Sequence, residues 1–140
     1  MIPLLGRYSH HVVLAVLIGS VLVASSIALV NSTSASKVIW TTNPVTITFS
    51  HTTGHGSTTE SFKCAPPVIS SVVIATSVSP TGASLSTDPS GFATCGPSFQ
   101  TLTLNAQSTT PGTYRGIVTV SQLSLYQSIP PSLAVTIIVT

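Results

Sequence analysis

The sequence predicts an apolar N-terminal α-helix followed by one all-β domain. Residues 12–30 form a run of nineteen residues without a charged side chain, whereas beyond Asn31 the apolar residues come in short β-branched runs separated by Ser, Thr, Pro and Gly. A helix of that length is roughly 28 Å long, close to the hydrocarbon thickness of a bilayer. We therefore expect a hydrophobic helix and hinge over residues 1–35 and a Ser/Thr-rich β-sandwich over residues 36–140.

Three roles of the apolar run are open at the level of sequence. It resembles a cleaved secretory signal, since Arg7 precedes it and Thr33-Ser34-Ala35 offers small residues for cleavage, but it is longer than the usual signal core of about 7–15 residues. It also suits a single membrane anchor with Arg7 inside the cell. The third role is a helix that leaves the membrane and packs against copies of itself in the core of a filament.

Small residues recur at intervals of four along the apolar run. Ala15 and Gly19 form one such pair, and Ser20, Ala24 and Ala28 continue the spacing. Small residues at this interval allow close helix–helix approach, which a helix that faces only lipid does not need. We therefore predict these five positions as helix-packing residues.

Composition indicates an exported protein that does not bind nucleic acid. Charged residues make up 4% of the chain, and Ser and Thr together supply close to a third of it. Soluble domains usually carry about a quarter charged residues, so hydroxyl groups solvate this surface instead. The formal net charge of +2 is scattered and forms no basic cluster that could neutralise phosphates.

The two cysteines, Cys64 and Cys95, predict a disulfide. An even cysteine count in an exported chain favours pairing, and closing a loop of about 30 residues stabilises a fold by roughly 3–4 kcal/mol in the chain-entropy model. Two buried free thiols are the alternative.

No catalytic, metal or cofactor site is expected. Glu60 and Asp88 are the two carboxylate side chains of the sequence, and no nucleophile-elbow motif accompanies its many serines. His51 and His55 are four residues apart, but they lie in a Gly- and Thr-rich stretch where this spacing does not bring two rings to one helical face.

Period-two alternation and turn residues predict about seven short strands. Residues 45–49 alternate apolar and hydroxyl side chains behind Pro44, whereas residues 51–61 show no periodicity and are predicted as a surface loop. No amphipathic helix separates the strands, which favours a sandwich over βαβ units. The predicted strands are residues 38–40, 45–49, 68–74, 83–86, 99–104, 113–120 and 133–139.

The C-terminal forty or so residues resemble the closing strands of immunoglobulin-like domains in prokaryotic surface proteins. The matching features are the turn Thr110-Pro111-Gly112-Thr113-Tyr114, the alternating residues 117–120 and the valine-rich residues 135–139. This resemblance implies an immunoglobulin-like sandwich and leaves the activity open. Tyr114 is predicted as a core or corner aromatic.

As a whole, an apolar N-terminal helix joined to a hydroxyl-rich sandwich is similar to archaeal type IV pilins. That resemblance implies a homopolymer built through the N-terminal helices, a membrane-inserted precursor, and an extracellular surface filament for adhesion to host or abiotic surfaces or for motility. Leu5-Gly6 before Arg7 is the one nearby candidate for a processing site, and Asn31-Ser32-Thr33 is a glycosylation sequon.

Two alternatives to the helix-cored filament remain. One is a membrane-anchored or secreted immunoglobulin-like module that binds another surface component as a monomer. The other is a filament built by donor-strand exchange, in which residues 37–49 complete the sheet of the next subunit.

Overall fold

The structure, a computed structural model, describes residues 35–125 and 127–140, and of Phe92 the backbone alone. The described residues form nine β-strands and no helix. The strands are β1 (Lys37–Trp40), β2 (Val45–Phe49), β3 (His55–Ala65), β4 (Val72–Ser79), β5 (Ser84–Asp88), β6 (Gly91–Ala93), β7 (Gln100–Gln107), β8 (Gly112–Gln122) and β9 (Gln127–Val139).

The predicted fold class, an N-terminal hydrophobic α-helix followed by a sandwich of about seven strands, is therefore wrong. The described part of the chain is all-β, and none of its elements is a helix long and apolar enough to cross a membrane. The apolar run of residues 12–30 lies outside the described residues. Two of the nine strands, β3 and β6, are absent from the seven that were predicted.

The missed strand β3 occupies much of the stretch predicted as a loop. Its alternate residues point inward, but the first three of these are Gly56, Thr58 and Glu60 rather than apolar residues. The sequence therefore shows no apolar alternation there, although its backbone pairs with β7 from His55 to Phe62. Strand β6 is three residues long, too short for any periodicity.

The nine strands make two sheets with immunoglobulin-like strand order. One sheet runs β1-β3-β7-β5 and the other runs β2-β9-β8-β4-β6. All described pairs are antiparallel except β2 with β9, which is parallel. This is the arrangement of immunoglobulin-type sandwiches, in which the first strand divides between the two sheets.

The core lies between the sheets and is built by strict alternation. Strand β9 buries every second residue from Leu133 to Val139, and β8 does the same from Tyr114 to Val120. In the opposite sheet Leu102 and Leu104 on β7 are fully buried. Because the side-chain period of a strand is two, the apolar set of each strand fixes its pairing register.

The chain crosses from one sheet to the other at every connection except that from β8 to β9, and at two of these crossings it keeps its direction. Residues 41–44 carry it from β1 to β2, and Pro89 and Ser90 carry it from β5 to β6. At the first crossing the indole Nε1 of Trp40 donates to the carbonyl oxygen of Pro131 at 2.8 Å, and its ring lies 5.5 Å from that of Phe62. The first edge of the sandwich is thus closed by packing and a hydrogen bond together.

The prediction of Tyr114 as a core or corner aromatic is confirmed, and the structure decides for the corner. Its side chain is buried at the start of β8, and its hydroxyl donates to the carbonyl oxygen of Thr110 at 2.9 Å. This is the geometry of the tyrosine corner of immunoglobulin-like domains, which fixes the turn before that strand. The Oγ of Ser108 also donates to the carbonyl of Gly82, so two turns at this end are joined.

We predict that Gly56→Ala destabilises the sandwich. A Cβ at this position would lie 2.6 Å from Cδ1 of Phe49 and 3.1 Å from Cγ2 of Ile47, because β2 packs closely on the backbone of β3. Overpacking of this kind usually lowers the free energy of unfolding by about 1–3 kcal/mol. Urea denaturation of the full chain measures the difference.

The matched control is Gly96→Ala, because no heavy atom lies within 4 Å of a Cβ built there. Its stability should equal or slightly exceed that of the wild type. Equal stability of the two variants would contradict the close packing of β2 on β3.

Candidate functional site at the three-loop end

Three connections meet at one end of the sandwich. They follow β3, β6 and β8 and comprise residues 66–71, 94–99 and 123–126, of which residue 126 is not described. The registers that pair Lys37 with Ala65 and Val72 with Gln122 place the start of β1 and the start of β4 at this same end. We call the described residues of these connections the three-loop end.

The predicted disulfide joins the end of β3 to the loop after β6. Cys64 near the end of β3 and Cys95 after β6 are bonded, with their Cα atoms 5.2 Å apart, and both are buried. The described residues contain no free cysteine. The prediction of a Cys64–Cys95 disulfide is thereby confirmed.

Backbone hydrogen bonds also connect the loops on both sides of the disulfide. The amide of Cys64 donates to the carbonyl of Gly96 at 3.0 Å, and the amide of Val68 donates to the carbonyl of Cys95 at 2.9 Å. The third loop joins through the amide of Leu123, which donates to the carbonyl of Ser71 at 3.0 Å. The three loops therefore form one connected surface.

Each loop presents one large apolar side chain to solvent. Ile69 is fully exposed at 105%, Leu125 is 64% exposed and Phe99 is 50% exposed. Single exposed apolar residues are ordinary on protein surfaces, but three on hydrogen-bonded neighbouring loops of one end make that end a candidate interaction surface.

The charge of the three-loop end is positive. Its described loop residues include no charged side chain, but Lys37 and Lys63 lie on the strands that lead into it. The Nζ atom of Lys63 lies 4.6 Å from the centroid of the Phe99 ring, in cation–π geometry. We call the exposed side chains of Ile69, Phe99 and Leu125 the apolar tips. The three-loop end thus combines apolar tips with adjacent ammonium groups.

The two carboxylate side chains of the sequence, Glu60 and Asp88, lie on opposite faces of one sheet. Glu60 faces the interior and is 5% exposed, and its Oε1 accepts a hydrogen bond from the amide of Thr42 at 2.6 Å. Asp88 is exposed at the end of β5, in register with Thr103. Glu60 therefore holds the chain at the β1–β2 crossing, which is a positioning role.

The two described histidines bind backbone atoms at the opposite end. Nδ1 of His51 hydrogen-bonds to the carbonyl oxygen of Thr140 at 2.7 Å, and Nδ1 of His55 to that of Thr53 at 2.8 Å. No group of three or more potential metal-ligating side chains is found within the part of the chain that the structure describes.

The remaining predicted site residues cannot be placed. The five helix-packing positions and the glycosylation sequon lie outside the described residues, and those assignments stay predictions. They are Ala15, Gly19, Ser20, Ala24, Ala28 and Asn31.

The sequence pattern did not predict that the apolar tips are exposed loop residues. Ile69 fell within the predicted strand of residues 68–74, although β4 begins only at Val72. Pro66-Pro67 before it and Ser70-Ser71 after it are the available signal, because a proline pair and a serine pair around one isoleucine are typical of a loop. Phe99 was placed at the start of a strand in the same way.

Comparison with known proteins gives likenesses to β-sandwich structures alone. The sequence matches no protein-family model and no curated protein. Among solved structures, a C. elegans member of the MSP family is similar at 12% identity and a TM-score of 0.47, over 77% of this chain and 100% of that one. The CARDB domain of a Pyrococcus furiosus protein is similar at 14% identity and a TM-score of 0.42, over 74% and 94%.

Likenesses this remote carry no argument about function. The assignment of an immunoglobulin-like sandwich rests on the observed strand order, the divided first strand and the tyrosine corner. The resemblance to archaeal type IV pilins stays a prediction from the sequence.

We predict that the double variant Cys64→Ala with Cys95→Ala is destabilised by roughly 2–5 kcal/mol, the usual range for loss of a native disulfide from a small domain. Denaturant unfolding measures this difference. The amide of Val68 should also exchange hydrogen faster, because its acceptor is the carbonyl of residue 95.

Ser98→Ala is the control in the same loop, since Ser98 is exposed and its substitution should change stability by no more than about 0.5 kcal/mol. An unchanged unfolding midpoint in the double alanine variant would show that the Cys64–Cys95 disulfide does not stabilise the sandwich.

We predict that Glu60→Ala lowers the free energy of unfolding by about 1–3 kcal/mol, because the amide of Thr42 loses its acceptor. Glu60→Gln keeps a carbonyl oxygen in reach and should be affected less. Thermal or urea unfolding of both variants, with exposed Asp88→Asn as the control, separates loss of the acceptor from loss of the charge. Equal destabilisation by Gln and Ala would contradict the acceptor role.

Proposed function

We propose that this chain is a structural subunit of an extracellular, pilus-like surface filament, with its immunoglobulin-like sandwich exposed and serving adhesion or motility. The proposal assigns it no catalytic activity. Its fold is that of a binding or structural module, and the assembly, location and partners named here go beyond the fold.

The observation that carries the proposal is the end of the sandwich at which the N-terminal sequence joins it. Lys37 pairs with Ala65, so any sequence before residue 35 joins the sandwich at the three-loop end. That sequence includes the nineteen-residue uncharged run of residues 12–30, which needs an apolar surrounding such as a bilayer or a filament core.

The character of the sandwich supports an extracellular setting. The buried disulfide suits an oxidising compartment, and hydroxyl-bearing side chains line the outer face of the β3–β7 pair, where Ser57, Thr59 and Thr103 alternate with the core residues. A surface of neutral hydroxyls changes little in charge with pH, which suits a structural protein outside the cell.

Donor-strand exchange receives less support. Residues 37–40 pair with β3 and residues 45–49 pair with β9 of the same sandwich. The segment that would be donated already completes its own fold.

A second candidate is a monomeric binding module attached to the membrane. The specific observation in its favour is the three-loop end itself, because loops clustered at one end of an immunoglobulin-like sandwich often bind ligands. In this alternative the exposed tips contact another surface component and no polymer forms.

Negative-stain microscopy of the extracellular protein, with N-terminal sequencing of its subunits, tests the proposal. We expect filaments whose subunits retain residues 12–30. The variant Leu17→Asp should abolish them, because a carboxylate within the apolar run is expensive in any apolar surrounding.

The matched control is Ser34→Asp, which adds the same charge after the apolar run and should leave filaments intact. Monomeric extracellular protein that lacks residues 12–30 would contradict the filament proposal. Monomeric protein that retains them would favour the attached binding module.

A further inference from the structure

We propose that the three-loop end binds an anionic lipid surface. In this proposal Ile69, Phe99 and Leu125 enter the boundary between headgroups and acyl chains, while Lys37 and Lys63 meet anionic headgroups. The proposal concerns the membrane-associated chain and does not require that filaments form.

The first argument is the arrangement of polarity. All three tips are exposed in the described structure, at 105%, 50% and 64% for Ile69, Phe99 and Leu125. Exposed aliphatic and aromatic side chains beside lysines are the pattern of interfacial membrane binders, in which apolar groups enter the bilayer and cations remain at headgroup level. The 4.6 Å separation of the Lys63 ammonium from the Phe99 ring places a cation directly beside an exposed aromatic side chain.

The second argument is rigidity. The Cys64–Cys95 disulfide and the backbone bonds from Val68 to Cys95 and from Leu123 to Ser71 connect the three loops. Tips that are held in place before binding lose little conformational freedom on contact, so a small apolar area is more effective than on mobile loops.

The third argument is the chain that lies outside the described structure. The uncharged run ends at residue 30, and six residues separate it from the start of β1 at the three-loop end. Six residues extend over at most about 20 Å. The covalent link therefore limits the distance between the end of the uncharged run and the start of β1 to about that length.

Charge argues against a second copy of this chain as the occupant. A symmetric contact between two three-loop ends would bring Lys37 and Lys63 of both copies together. An asymmetric contact would need acidic groups, but in the described part of the chain Glu60 is buried and Asp88 is the one exposed carboxylate side chain. Anionic headgroups supply the missing negative charge.

The test uses the full chain in vesicles of phosphatidylcholine and phosphatidylglycerol, with and without acyl-brominated phosphatidylcholine as a fluorescence quencher. Ile69→Trp carries the reporting indole, and the matched control Ile117→Trp carries it on the outer face of β8, where Ile117 is 47% exposed. Buried Trp40 also fluoresces, and this background is measured with the wild-type protein.

We expect the brominated lipid to quench the added emission of Ile69→Trp by roughly half or more, as for a side chain at the acyl boundary, and to leave that of Ile117→Trp unchanged. Adding Lys37→Gln and Lys63→Gln, or omitting phosphatidylglycerol, should reduce the quenching of Ile69→Trp. These substitutions are at exposed or half-buried positions, so the fold is retained.

Equal quenching of the two indoles, absence of quenching at position 69, or failure of the chain to float with vesicles would each overturn the proposal. Protection of position 69 that rises with the protein-to-lipid ratio would assign this surface to a second copy instead. Filament formation is scored separately by microscopy, so failure of lipid binding leaves the filament proposal standing, and the reverse also holds.

Discussion

Apolar packing between two sheets is the interaction on which the rest of this molecule depends. The described residues carry five charged side chains, Lys37, Glu60, Lys63, Asp88 and Arg115, so charge pairs can contribute little to cohesion. Fully buried Leu102, Leu104, Leu133 and Ile137 occupy the space between the sheets instead. Since a one-residue slip would turn each of these outward, the same packing that stabilises the sandwich also selects its strand register.

The polar groups that enter this interior are satisfied by backbone atoms. The Glu60 carboxylate accepts from the amide of Thr42, the Trp40 indole donates to Pro131 and the Tyr114 hydroxyl donates to Thr110. All three bonds lie where the chain turns or changes sheet. Buried polar side chains therefore fix the connections, whereas apolar side chains fix the strands. A polar group left without a hydrogen bond at any of these connections would lower the free energy of unfolding.

The two ends of the sandwich differ in consequence. One end is closed by the tyrosine corner and by backbone contacts of the histidines, and the other is closed by a disulfide that leaves three apolar tips in solvent. Because the chain also enters at the second end, a surface suited to an apolar partner and the attachment of the N-terminal sequence coincide. This coincidence links the filament proposal with the proposed lipid contact, since both depend on the end at which the N-terminal sequence joins the sandwich.

The sequence by itself determined that the chain after residue 36 forms a β-sandwich with a disulfide and with Tyr114 as a core or corner aromatic, since alternation, cysteine parity and a turn motif are local signals. Only the tertiary structure decided that His55–Ala65 is a strand, because Gly56, Thr58 and Glu60 face inward there and pairing with β7 overrides the missing apolar pattern. It also decided that Ile69, Phe99 and Leu125 share one end, since residues far apart in the chain meet only when strand order brings their loops together. Strand pairing is a non-local interaction, and a local pattern cannot encode which distant strand will supply it.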